Sequence, residues 1–167
     1  ISMYAQQTID VQPVPQKVTP ATQTIKLTGT YQSNGINEAN PYATDMLKTL
    51  LGTNESMKGG MKVFIGERGD KAVSKYKKFI PAQAEGYFVR ISPKEIVLAG
   101  YDERGTYYAV QTFRQLIENG QVPVTEITDW PDIRFRGVVE GFYGTPWSHE
   151  ARLRHLKFYG QNKMNTY

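Results

Sequence analysis

The spacing of apolar and polar positions divides the chain into short strands and a few well-marked helices. Residues 1–23 carry Pro13, Pro15 and Pro20 among many Gln and Thr, which predicts an extended arm with an edge strand near Ile9 and Val11. Ile25, Leu27, Gly29 and Tyr31 alternate with polar residues as a half-buried strand requires, and Ser33-Asn34-Gly35 ends it. Ala39, Tyr42, Ala43, Met46, Leu47, Leu50 and Leu51 then fall on one helical stripe. Asn40 supplies the cap, Pro41 suits the first turn and Gly52 the stop. A polar loop over 53–60 leads to a short strand at Val63-Phe64-Ile65, and a second, shorter helix is expected from Lys71 to Phe79 with Asp70 as its cap. Tyr87, Val89 and Ile91, the turn Ser92-Pro93-Lys94 and the run Ile96 to Ala99 read as a hairpin. Gly105, Tyr108, Ala109, Thr112, Phe113, Leu116 and Ile117 mark a long helix closed by Asn119-Gly120.

Interleaved strands and helices predict an α/β layer domain over 24–128, a mixed sheet with helices mainly on one face. The stretch Val124 to Asp132, with Trp130-Pro131-Asp132, has linker chemistry, and the pattern changes after it. Phe135 to Glu140 reads as a buried strand running into the loop Gly141-Phe142-Tyr143-Gly144-Thr145-Pro146-Trp147. Ser148 caps a helix carrying Leu153, Leu156 and Tyr159, with Glu150 near its N-terminus, and Asn165-Thr166-Tyr167 is placed to begin another strand. Strand, loop, helix, strand is the opening unit of a parallel α/β architecture. One unit cannot close a sheet, so the sequence reads as truncated.

Composition narrows the chemistry. At 167 residues the chain cannot hold a complete (β/α)₈ barrel of about 250 residues beside another domain. Zero cysteines exclude disulfide scaffolds, thiolate zinc sites and cysteine nucleophiles. Twenty basic against 16 acidic residues leave a mixed surface, and the cluster Lys71, Lys75, Lys77 and Lys78 reads as a solvated helix face, so no nucleic-acid partner is expected. No apolar stretch has the length of a membrane span, and no membrane partner is expected.

Most motifs are better explained structurally than chemically. His149-Glu150 lacks a second histidine four residues on; Leu153 stands there, and His155 faces elsewhere. Arg68-Gly69-Asp70 spells an adhesion tripeptide, but turn and cap duties account for Gly69 and Asp70. Asn54-Glu55-Ser56 is a formal glycosylation sequon. Asp102-Glu103, the one adjacent pair of acids, stands where Asp102 caps the long helix and Glu103 complements its dipole. The loop Gly141 to Trp147 is more informative. Loops at the C-terminal ends of parallel strands carry ligand sites, glycines admit close backbone approach, and aromatic rings stack on sugar faces.

The stretch Arg136-Gly137-Val138-Val139-Glu140-Gly141-Phe142-Tyr143-Gly144-Thr145-Pro146-Trp147-Ser148 resembles the opening of the catalytic barrel of glycoside hydrolase family 84, retaining β-N-acetylglucosaminidases of the O-GlcNAcase type. Asp102 to Thr112 resembles the motif of the α/β domain that precedes the barrel there, and related domains precede the barrels of family 20 hexosaminidases. The resemblance implies three parts: an arm over 1–23, a hexosaminidase-like domain over 24–128, and the first β/α unit of an incomplete TIM barrel over 133–167. It implies removal of terminal β-linked N-acetylglucosamine from glycoproteins or glycans. The substrate's own acetamido oxygen attacks the anomeric carbon to form an oxazoline, with two consecutive aspartates assisting.

That aspartate pair matches no position here, so no catalytic residue is expected in this chain and the fragment alone is expected to be inactive. Gly141 matches a glycine whose carbonyl accepts a hydrogen bond from the sugar, and Phe142 and Tyr143 match the pocket floor; Arg104 is read as structural. No cofactor or metal is implied. The family, with Ile1-Ser2-Met3-Tyr4-Ala5-Gln6 read as a signal-peptide remnant, implies a periplasmic or extracellular protein. The competing reading is a non-catalytic module that binds glycans or a partner. Val138, Val139, Leu153 and Leu156 would lack cover, so association or poor order from residue 133 onward is expected unless a full barrel is present.

Overall fold

The computed structural model describes residues 9–167 apart from 22, 28, 53–54, 57–58 and 142. The signal-peptide remnant at the start and Asn54 of the sequon lie outside the described residues. The chain divides into two compact units, Ile1–Trp130 and Pro131–Tyr167.

In the first unit the strands are β1 (Lys17–Val18), β2 (Thr24–Lys26), β3 (Tyr31–Asn34), β4 (Met61–Glu67), β5 (Tyr87–Ile91), β6 (Glu95–Gly100), β7 (Gln121–Pro123) and β8 (Thr125–Asp129). The helices are α1 (Pro41–Leu51) and α2 (Glu103–Leu116), and a 3₁₀ segment spans Lys71–Tyr76. Six strands form one mixed sheet in the order β1-β8-β5-β6-β4-β3, parallel at β3-β4 and β4-β6 and antiparallel elsewhere; β2 and β7 pair separately.

The strand period of two sorts the sheet into two faces. Val63, Ile65, Tyr87, Val89, Ile91, Ile96, Leu98 and Ile127 join Ala43 and Leu47 of α1 and Tyr108, Ala109 and Phe113 of α2 in the main core. Phe88, Val97 and Ala99 face the other way, under Val73, Tyr76 and Ile80 of the 3₁₀ region. The expectation of a mixed sheet with its helices on one face therefore holds for α1 and α2. Buried polar groups in the main core are paired: the Tyr87 hydroxyl donates to Asp129 Oδ2 at 2.7 Å and lies 2.7 Å from Thr112 Oγ1.

Both helix starts follow the sequence. Asn40 accepts from the Ala43 N–H ahead of Pro41, and Asp102 accepts from the Gly105 N–H. The second Asp102 oxygen accepts from the N–H of Glu85, whose carboxylate pairs with Arg104 at 3.1 Å. That gives Arg104 its structural task. Tyr42, counted on the apolar stripe of α1, instead points to solvent at 78 % exposure.

Several expectations need correction. The arm is not merely extended: Val11 is buried, Gln12 exchanges backbone hydrogen bonds with the Gln115 amide on α2, and the strand lies at Lys17–Val18 rather than near Ile9 and Val11. The alternation over 25–31 belongs to two strands in different sheets, β2 and β3. The second helix is a 3₁₀ segment ending at Tyr76, and Asp70 turns back to accept from the Glu67 N–H instead of capping it. Within the boundary region Val124 to Asp132 the chain divides between Trp130 and Pro131, and the residues before that form strand β8, which the sequence pattern did not show. Its sequence Thr-Glu-Ile-Thr-Asp has only one strong hydrophobe, and its inward Asp129 is tolerated through the Tyr87 bond.

The second unit holds α3 (His149–Gln161), capped by Ser148 accepting from the Ala151 N–H. Phe135 to Glu140 is not the buried strand that its apolar content suggests. Phe135 is 69 % and Val139 93 % exposed, and one parallel bridge, Gly137 to Thr166, joins this segment to the chain after α3. Leu153 and Leu156 are also exposed, while Tyr159 is buried. Among the described residues no helix is long and apolar enough to cross a membrane.

Candidate functional site

The candidate site belongs to the second unit and is built on a segment–helix–segment crossover. Gly137 lets the two chain segments touch, because a Cβ there would stand 1.8 Å from the Thr166 carbonyl oxygen. Asn165 staples the crossing: its Oδ1 accepts from the Arg136 N–H at 2.9 Å and its Nδ2 donates to the Arg134 carbonyl at 2.8 Å. The Arg136 guanidinium donates to the carbonyls of Lys163 and Ile133.

The loop 141–147 leaves the end of this segment and enters α3. Gly141 and Tyr143 lie on it, both exposed, with the Tyr143 ring fully in solvent. Phe142 lies outside the described residues. Gly144 takes a positive φ of 98°, a left-handed conformation suited to glycine. At the far end of the loop the Trp147 ring meets His155 edge-on with centroids 4.3 Å apart, and His155 leads on to Tyr159 at 6.0 Å. Tyr159 in turn lies 6.1 Å from Tyr167.

Beside the loop lies a charged cluster that the sequence pattern did not single out. Arg152 grips Glu140 through both carboxylate oxygens, Nε to Oε2 at 2.9 Å and Nη2 to Oε1 at 2.8 Å, and the Tyr167 hydroxyl donates to Glu140 Oε2. The Glu140 side chain is only 7 % exposed. Donation from Arg152, then from Tyr167, and from the Trp147 backbone N–H hold its carboxyl down to about 2, against an ordinary value of 4.5. The same contacts push the Tyr167 hydroxyl and the Arg152 guanidinium up. The sequence places Glu140 at the end of a predicted strand and inside the signature stretch, with no role of its own. An acid at the exit of a strand, with an arginine in the first turn of the next helix, is the signal that could have marked the pair.

Among the described residues, no group of three or more His, Asp or Glu is placed to hold a metal ion. In the first unit, Arg68 of the adhesion-like tripeptide lies over the Tyr101 ring at 5.8 Å.

Comparison with known proteins places these units. The model for glycosyl hydrolase family 20, domain 2, matches residues 8–130. The chain belongs to that family. A separate model described as beta-N-acetylglucosaminidase matches residues 136–167, the segment that carries loop 141–147 and the Glu140 cluster. Among solved structures, CpGH84B is 31 % identical with a TM-score of 0.83, over 95 % of this chain and 29 % of its own length. The β-N-acetylhexosaminidase from Bacteroides fragilis is 22 % identical at a TM-score of 0.66, over 92 % of this chain and 31 % of its own. A family 20 exo-β-N-acetylglucosaminidase from Vibrio harveyi, solved with N-acetylglucosamine, is 17 % identical at a TM-score of 0.66, over 99 % and 26 %. The last two likenesses establish the fold. The chain spans less than a third of the length of each of these structures.

Proposed function

We propose that the chain is part of a retaining β-N-acetylglucosaminidase of the family 84, O-GlcNAcase type, acting on terminal β-linked N-acetylglucosamine of glycoproteins or glycans. The observation that carries this is the position of loop 141–147: a glycine-aromatic loop leaves a segment that makes a parallel bridge across a following helix. That is the place where (β/α)₈ barrels hold their substrates. The beta-N-acetylglucosaminidase match over the same residues and the 31 % identity to CpGH84B support it. In this reading residues 133–167 are the first β/α unit of the barrel, and the family 20 domain 2 precedes it.

The chemistry is substrate-assisted. The acetamido oxygen forms a bond to the anomeric carbon as the glycosidic bond breaks, and a carboxylic acid gives its proton to the departing oxygen. The same carboxylate then takes a proton from the water that opens the oxazoline. Both assisting aspartates belong to a later barrel strand. This chain contributes binding: the Gly141 carbonyl accepts from a sugar hydroxyl, with Phe142 and Tyr143 beside it. An exported, periplasmic or extracellular location accords with such a substrate.

The test is hydrolysis of a fluorogenic N-acetyl-β-glucosaminide by this chain and by the same chain extended through a complete barrel. Turnover only in the extended protein is the expected result. Turnover in neither would move the assignment to a glycan- or partner-binding module. Authentic turnover by residues 1–167 would mean that the acid has been misplaced.

A further inference from the structure

Among the described residues of loop 141–146, Gly141, Tyr143 and Gly144 have open surroundings. A Cβ at Gly141 would meet only Tyr143 Cδ2, at 3.7 Å, nothing lies within 4 Å of one at Gly144, and Tyr143 is fully exposed. One carboxylate links the two ends of the loop. Glu140 is the residue immediately before the loop. Its side chain reaches across the loop to Arg152 of α3, the helix that the loop enters. The same carboxylate is gripped by both arms of the Arg152 guanidinium in the first turns of α3 and by the Tyr167 hydroxyl beyond the crossover. A bidentate guanidinium–carboxylate pair constrains orientation as well as distance, which a point charge does not. The Trp147 ring packed against His155 secures the same end of the loop.

We propose that Glu140 is a positioning residue: with Arg152 and Tyr167 it forms a clasp that closes loop 141–147 and fixes the direction of the Gly141 carbonyl. This rests on the reading of that loop as the sugar site. The clasp touches no substrate and transfers no proton. It acts by presenting a preformed acceptor, so that binding sugar does not have to order the loop. A pair that merely stabilised the fold would act differently. Breaking it would reduce the folded fraction, and so the apparent kcat, while leaving the KM of the surviving molecules unchanged.

The test uses Glu140→Gln, Arg152→Met and Arg152→Lys in the protein extended through the barrel, assayed with the fluorogenic N-acetyl-β-glucosaminide. Glu140→Gln and Arg152→Met are expected to raise KM about tenfold with kcat within about twofold, because the lost interaction serves ground state and transition state alike. Arg152→Lys, which keeps the charge but loses the fork, should fall between them and wild type. A second readout needs no activity. In the 167-residue chain carrying Trp130→Phe, the remaining Trp147 should become more accessible to acrylamide in Glu140→Gln while the helical circular dichroism is unchanged.

Unchanged KM with unchanged Trp147 quenching overturns the clasp, and so does a kcat that falls with the folded fraction at constant KM. Should both pair variants unfold, Tyr167→Phe removes a single hydroxyl and is expected to raise KM about threefold; no change there overturns the proposal. If the unsubstituted extended protein hydrolyses nothing, the functional reading fails by itself. The clasp is then judged on Trp147 quenching alone.

Discussion

Replacing Gly105 by alanine sets helix propensity against packing, and the structure decides the sign. Gly105 is buried in the first turn of α2, where an exposed Gly→Ala change would be worth about 1 kcal/mol in favour of the helix. A Cβ at this position, however, would stand 2.2 Å from the carbonyl oxygen of Gly86 and 3.2 Å from the Cα of Gly100. Both obstacles are backbone, so neither can rotate away. Ordinary contact would require α2 to retreat by about 1 Å, a gap that forfeits a quarter to a half of the dispersion energy of each contact it opens.

The helix cannot make that retreat freely. Asp102 ties its start to the Glu85 N–H, and Thr106 donates to the Gly66 carbonyl. Tyr108, Ala109 and Phe113 hold its body in the core. Overpacking of this kind costs about 3 kcal/mol or more, which leaves a net loss of about 2 kcal/mol after the propensity gain. In a domain of this size that lowers Tm by roughly 6–10 °C. Urea unfolding followed by circular dichroism would measure it, with Gly69→Ala as the control, since nothing lies within 4 Å of a Cβ at Gly69. If Gly105→Ala matched or exceeded the stability of the unsubstituted chain, the claim that backbone contact fixes α2 on the sheet would be refuted.

Two further outcomes are expected. Leu47→Ala, at a fully buried position of α1, should cost about 2–5 kcal/mol in urea unfolding, whereas Tyr42→Ala on the exposed face of the same helix should stay within about 0.5 kcal/mol. The Glu140 carboxyl is held at about 2 in the folded chain against an ordinary 4.5. Its contribution to stability is therefore fully present above the unfolded value and is lost as pH falls from about 4.5 through about 2. An acid titration of Trp147 emission with Trp130→Phe should show this loss, and Glu140→Gln should abolish that component.

The helices were the most legible part of the sequence because their signals are local. Asn40 before Pro41, Asp102 before Glu103 and Ser148 before His149 each cap through a side chain that reaches only three residues ahead. The hairpin β5-β6 was legible for the same reason. Strands whose partners are remote in sequence were harder to read. β8 carries polar residues on both faces and becomes a strand only by lying between β1 and β5, where Asp129 meets Tyr87 and Glu126 meets Arg90. The run Phe135 to Glu140 failed in the opposite sense. Its apolar residues suggested burial, but burial needs a second surface, and Val139 has none among the described residues.

Residue order alone determined where the helices begin, that β5 and β6 form a hairpin, and that a glycine-aromatic loop precedes α3. Each of these depends on contacts between residues a few positions apart. Only the tertiary structure decided that the N-terminal arm is bound to α2 and that the alternation over 25–31 is shared between two sheets. It alone brought Glu140, Arg152 and Tyr167 around one carboxylate, 12 and 27 residues apart along the chain. A charge cluster of that kind has no periodicity to betray it, because it exists only once the chain has crossed over α3 and returned to Gly137.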